Sequence, residues 1–188
     1  MGVPTIDTGP MSIEDFFAFT ASGPDDERWE LIEGEPILNA APSFHHQRMV
    51  LNLGALLLQA VKAGGVTWEP MLGVGLRTSA ISVPVPDFLV RPRTSGSALD
   101  CDDAIVVFEV LSPSTRDRDL RWKRQAYAQL PRLTQYVILA QDKVEAVSYE
   151  RENAFAERRI AGVASALPLP AMGLSLVLGA IYDRTDLT

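Results

Sequence analysis

The sequence predicts an α/β fold, a central sheet covered by helices on both faces, and three segments carry that prediction. Residues 105–111, IVVFEVL, form an apolar run broken by one glutamate, as expected of a strand buried on both sides. Over 46–62 the residues Val50, Leu53, Leu57 and Val61 recur at helical spacing, and Leu51, Leu56 and Leu58 widen the stripe. A second helical pattern, 117–130, follows the central strand directly and leads to another apolar run at 136–140. A length of 188 residues corresponds to one domain. With 47% hydrophobic and 22% charged residues, the chain can bury a substantial core and is not intrinsically disordered.

In chain order, residues 1–11 read as a flexible leader and 12–188 as the single domain. Ser12, with Asp15 three positions on, resembles a capping box, and Ile13, Phe16 and Phe17 give the helix that follows one apolar face. Residues 29–38, WELIEGEPIL, are two short strand-like runs about Gly34, hence a tight hairpin. Gly64 and Gly65 stop the 46–62 helix. Strands are expected over 66–76 and 82–90, with Pro84 and Pro86 confining the second to an edge or to its beginning. Residues 91–103 read as a loop before the central strand. Ser112-Pro113-Ser114-Thr115 punctuate the chain, and Pro131 ends the 117–130 helix. A hairpin is expected over 136–140 and 144–149, with a further strand at 154–160. The apolar but Pro- and Gly-interrupted 167–183 reads as a docked loop and short helix.

Acids outnumber bases, 24 to 17, for a net charge of -7. A global basic field for nucleic acid is therefore excluded, and phosphate binding requires a metal or a local basic strip. The single cysteine, Cys101, permits no intrachain disulfide and no zinc motif, which fits a reducing compartment. The N-terminus lacks a basic region followed by an apolar run, and no stretch is long enough to cross a bilayer. A soluble cytoplasmic protein without a membrane partner is the expectation.

Glu109 is the most informative residue, because a carboxylate within IVVFEVL leaves water only if its charge is compensated. A structural ion pair or an open strand end would satisfy it; so would a divalent cation. Asp87 stands at the start of another apolar strand, where a turn aspartate beside Pro86 is the alternative. If the two strands are neighbours, the two acids converge on one hard cation. Lys123 shares a helical face with Leu120, Tyr127 and Leu130, and either snorkels over apolar surface or returns its ammonium to the acids. Arg116, Arg118, Arg121 and Arg124 surround it as a local cationic excess, a solvated face or a contact strip for DNA phosphates.

These residues also form a pattern: WELIEGE at 29–35, His46-Gln47, Pro86-Asp87, EVLSPST at 109–115, then Asp119, Lys123, Tyr127 and Tyr136. Over 12–182 it resembles the Uma-type "putative restriction endonuclease" family of the PD-(D/E)XK nuclease superfamily. The resemblance implies a restriction-endonuclease-like mixed sheet flanked by helices. It further implies Mg²⁺, with Mn²⁺ as a substitute, held by Asp87, Glu109 and the main-chain carbonyl of Val110. Superfamily members commonly carry a lysine two residues after the acid; here Leu111 stands there, and the Uma-type lysine on the next helix corresponds to Lys123. Glu30 and Glu35 match acids near the family's first hairpin and either assist the metal or are exposed. His46 matches a family histidine, a phosphate contact or proton carrier unless it merely begins a helix, and Tyr127 is a further supporting residue.

The expected function is a Mg²⁺-dependent endonuclease hydrolysing DNA, with Asp87, Glu109 and Lys123 catalytic. The alternative is a catalytically silent interaction module on the same scaffold. A homodimer is left open.

Overall fold

The computed structural model describes residues 9–24, 26–112 and 116–187. Most of the leader, residues 1–8, and the punctuation at Pro113, Ser114 and Thr115 lie outside the described residues. The chain opens with α1 (Ile13–Ala21), capped by Ser12, whose Oγ accepts from the Asp15 amide at 3.1 Å. The hairpin β1 (Trp29–Ile32) and β2 (Glu35–Leu38) turns at Gly34, which has a φ of 81°. Only glycine fits there, since a Cβ would lie 2.2 Å from Pro10 Cβ. Next comes α2 (Phe44–Ala63), two residues longer at its start than the apolar stripe indicates because Ser43 is its N-cap.

The central sheet comprises β3 (Trp68–Met71), β5 (Phe88–Pro92), β7 (Val106–Val110), β8 (Gln135–Leu139), β9 (Glu145–Glu150) and β10 (Ala156–Ala161), in the order β10-β9-β8-β7-β5-β3. The expected strand 66–76 is divided: β4 (Gly75–Leu76) leaves the sheet to pair in parallel with the short β6 (Asp100–Cys101), inside what reads as a loop. The expected strand 82–90 starts only at Phe88, as the prolines at 84 and 86 lack the amide hydrogens a ladder needs. Within the central sheet, among the described residues, only β7 and β8 run parallel. A parallel pair requires a crossover, and the helical segment after β7 supplies it.

That segment departs from a plain α-helix. A π-helical turn, Arg118–Lys123, runs into α3 (Arg124–Ala128). The wider π turn shifts the helical phase, so the buried stripe is Asp119, Lys123, Tyr127 and Leu130, and Leu120, expected on that stripe, is only half-buried. At the C-terminus the expected loop is a hairpin, β11 (Ala166–Leu169) and β12 (Leu174–Val177), followed by α4 (Leu178–Ile181).

Two cores result from the period-2 alternation of the strands. Val106, Phe108, Val110, Val137 and Leu139 face α2 residues Met49, Leu53 and Leu57, together with the C-terminal elements. Val107, Tyr136, Ile138 and Tyr149 face α3 and meet Tyr127 and Leu130. The sheet is thus covered on both faces, and Glu109 falls on the α3 side by the same alternation. No helix among the described residues is long and apolar enough to cross a membrane.

Candidate active site

The register of the sheet builds the site. β5 pairs antiparallel with β7, Phe88 opposite Phe108, so the next step outward places Asp87 beside Glu109. The contacts confirm the proximity: Asp87 Oδ2 accepts from the Val110 amide at 2.8 Å, and the Asp87 amide donates to Glu109 Oε2 at 3.3 Å. The N-terminus of α2 brings a third group, His46, whose Nε2 lies 3.1 Å from Asp87 Oδ2.

Lys123 reaches these acids from the opposite layer. Its Nζ donates to Glu109 Oε1 at 2.7 Å and lies 3.0 Å from Glu30 Oε1 and 3.3 Å from Asp119 Oδ1. Tyr127 donates its hydroxyl to the same Glu109 oxygen at 3.2 Å. Glu30 comes in from the hairpin, where β1 alternation turns it away from Trp29 and Leu31. It also accepts from the Val85 amide at 2.8 Å and meets Arg118 at 3.0 Å. Arg118 donates in turn to Asn39 Oδ1 at 2.6 Å.

Burial sets the electrostatics. Loss of water pushes the Glu109 carboxyl well above the usual range; Lys123 opposes that rise, and Asp119, Asp87 and Glu30 reinforce it. Burial would also raise Glu30, yet Lys123 and Arg118 outweigh it and hold that carboxyl below its ordinary value. For Lys123, burial favours the neutral amine, but the surrounding Glu109, Glu30 and Asp119 keep it protonated far above the ordinary lysine range. One cluster thus contains a carboxyl that resists ionisation and an ammonium that resists deprotonation.

Of the residues singled out in the sequence, Asp87, Glu109, Val110, Lys123, Glu30, His46 and Arg118 line one cleft of about 730 Å³. Tyr127 sits behind Glu109, fully buried. Glu35 is exposed on β2 and does not line the cleft, so the hairpin acids divide into one inside and one outside. Arg116 and Arg121 are exposed. Arg124 instead donates to the Phe155 carbonyl at 2.7 Å and stacks its guanidinium over Tyr149 at 4.6 Å, tying the helix to the sheet. Asp119 and Gln141 belong to the site although sequence reasoning did not select them as site residues. The spacing of four between Asp119 and Lys123 was a usable signal; Gln141, in a hairpin turn, offered none.

The donor set fits a hard divalent cation. Among the described residues no three His, Cys, Asp or Glu side chains are grouped as a ready-made metal cage. Mg²⁺ does not require one, since it takes one or two carboxylates and completes its shell with water and phosphate oxygens. Asp87 and Glu109 offer two carboxylates on adjacent strands, with the Val110 carbonyl next to them in the chain. Glu30, Glu109 and Asp119 gather about Lys123, Glu30 also meets Arg118, and Asp87 adjoins Glu109 with His46 as its side-chain partner, so an added positive charge between Asp87 and Glu109 relieves the crowding of carboxylates.

The buried tyrosines make stability sensitive to alkali. Burial and neighbouring carboxylates push Tyr127 and Tyr136 well above the ordinary 10.0, and Lys123 stands well above 10.5. Burial also raises Cys101 from 9.0 to about 11. Each group keeps its proton in the folded chain at a pH where the unfolded chain has released it. Their contribution is therefore complete below the unfolded values and is lost as pH rises through the folded ones. The thermal midpoint is expected to hold up to about pH 9 and then fall steeply, with a shallower fall in Tyr136→Phe. A midpoint that stays level past the ordinary tyrosine value, followed by differential scanning fluorimetry, would contradict this.

Comparison with known proteins bears on this geometry. Residues 13–178 match the family model Uma2, described as "Putative restriction endonuclease". No curated protein gives a significant match. Among solved structures, the fold is similar to that of a protein titled "a putative nuclease belonging to DUF820" from Anabaena variabilis ATCC 29413. The TM-score is 0.76 at 15% identity, covering 94% of this chain and 99% of that one. The central sheet with helices on both faces is thus a nuclease-like fold.

Proposed function

The chain belongs to the Uma2 family, and from that membership we propose that it is a Mg²⁺-dependent endonuclease that hydrolyses DNA phosphodiester bonds. The observation that carries the proposal is the meeting of Asp87 and Glu109 across adjacent strands with the Lys123 ammonium 2.7 Å from Glu109. Mg²⁺, or Mn²⁺ in its place, held by Asp87, Glu109 and the Val110 carbonyl, supplies Lewis-acid polarisation of the phosphate and a water of lowered pKa.

The side chains do the rest. The Val110 amide and His46 hold one oxygen of Asp87, which leaves the carboxylate fixed in direction within the cleft. Lys123 stays charged and close to Glu109, where it offsets negative charge that develops on a phosphate. Tyr127 and Lys123 both bond Glu109 Oε1, which orients Oε2 toward Asp87. Arg118 adds a cation to the cleft wall, and the exposed Arg116 and Arg121 offer further contacts to phosphates. Such contacts carry no base preference, so binding is expected to weaken with salt and to depend little on sequence. The test is cleavage of plasmid, duplex and single-stranded DNA with Mg²⁺ or Mn²⁺, with and without chelator. Chelator-sensitive cleavage is the expected result; intact DNA of every form in both metals would sink the reading.

A further inference from the structure

The acids lie at the base of a cleft rather than on an open face. Glu109, Lys123 and Glu30 are 3%, 2% and 1% exposed, and Asp87 shows 21% of its side chain. A phosphodiester therefore has to descend into the cleft to reach them. At about 730 Å³ the cleft falls within the roughly 300–1,000 Å³ of pockets that enclose small molecules. That is room for a nucleotide or two, whereas a duplex, with its phosphates held against stacked base pairs, has to lie across an open surface.

The walls have a matching character. Half-buried Phe17 and Trp29 line the cleft, and Leu72 and Leu99 stand at it 56% and 66% exposed. Phe17 and Leu99 also line a second groove of about 920 Å³, so the two adjoin. Cations are few by comparison. Of the cleft-lining cations Arg118 is engaged by Glu30 and Asn39 and Lys123 by buried acids, which leaves Arg28 exposed there; Arg116 and Arg121 are exposed outside that lining, Arg124 is engaged by Phe155 and Tyr149, and the chain carries a net charge of -7. A duplex binder that relies on phosphates alone needs a long cationic track. Affinity here must come in larger part from base faces, and those are open only in unpaired nucleotides.

We infer that the cleft takes an unpaired DNA strand, its bases against Phe17, Trp29, Leu72 and Leu99 and one phosphodiester lowered to Asp87 and Glu109. This rests on the nuclease reading of the same site and names its substrate class. The full-length protein in Ca²⁺ is titrated against a labelled oligothymidylate and against a hairpin duplex of equal length, by fluorescence anisotropy. The single strand is expected to bind at least about tenfold more tightly, and Leu72→Ser/Leu99→Ser to lose about tenfold in that affinity with an unchanged thermal midpoint. As a second measurement on an otherwise intact cleft, the single strand should quench tryptophan emission in the wild type and much less in Trp29→Phe. Equal or tighter duplex binding, or undiminished single-strand affinity in a folded double variant, overturns the inference. If the strand preference persists but no DNA is cut in Mg²⁺ or Mn²⁺, the nuclease reading fails and the occupant of the cleft stands. Cleavage confined to duplex has the opposite meaning.

Discussion

Glu109→Gln is expected to abolish metal-dependent cleavage while leaving the fold as stable as, or more stable than, the wild type. Loss of one electrostatic stabiliser at a reacting centre costs about 10²–10³-fold in rate, and a metal-holding carboxylate should lie at or beyond that range. The amide keeps the shape of the side chain and still accepts from Lys123 and Tyr127, but loses the charge that holds a cation. Stability moves the other way. The Glu109 carboxyl is pushed far above its ordinary 4.5, first by burial, so its ionised form opposes folding at neutral pH. Removing that charge removes the penalty. Asp87→Asn should show a similar loss of cleavage, since its carbonyl oxygen can still accept from Val110. Single-turnover rates with Mg²⁺, set beside denaturant unfolding of the same samples, make the check. Cleavage within tenfold of wild type in a folded Glu109→Gln protein would remove Glu109 from the site.

Lys123→Met is expected to have the largest effect on stability. The ammonium sits within 2.7 to 3.3 Å of Glu109, Glu30 and Asp119, all buried. Taking away one partner of a buried ion pair costs about 3–5 kcal/mol, because the charge left behind is neither hydrated nor neutralised. The loss should depend on pH with a definite sign. Without Lys123 the folded chain holds protons on Glu109 and Glu30 above the unfolded value of 4.5, so stability falls as pH rises from there and the deficit shrinks on acidification. Lys123→Met/Glu109→Gln should recover part of the loss, because the pair is in direct contact. Urea titrations of the two single variants and the double variant across the acidic range give the coupling. Additive single effects, or a deficit that grows toward low pH, would show that the acids are not held by Lys123.

The sequence alone determined the layers of the fold and marked Glu109 as an acid that needs a partner. IVVFEVL could only be a strand covered on both faces, and an acid inside it had to be compensated. The 46–62 helix and the inward turn of Lys123 followed from helical spacing, which is a local property; that Lys123 meets the acids instead of covering apolar surface, and that Leu51 and Leu58 stay exposed, did not. The division of 66–76 into two strands, the late start of β5 and the C-terminal hairpin were not legible, because prolines and glycines mark interruptions without saying which partner the chain finds on either side.

The site itself shows the same boundary. Glu30 and Glu35 stand in one hairpin, one buried against Lys123 and Arg118 and the other in solvent. Strand alternation does not separate an acid that meets a cation from one that meets water until another element is placed over it. Asp119 replaced Leu120 on the buried stripe because a π-helical turn changed the phase, and that turn belongs to a segment packed over buried carboxylates. Arg124 reads as one more surface cation in a basic run, yet β9 places an aromatic ring beneath it. Residue types and their local periods carry the chemistry that is available. Only the tertiary structure decides which charges share a low-dielectric space, because Coulomb energies there depend on distances between segments far apart in the chain.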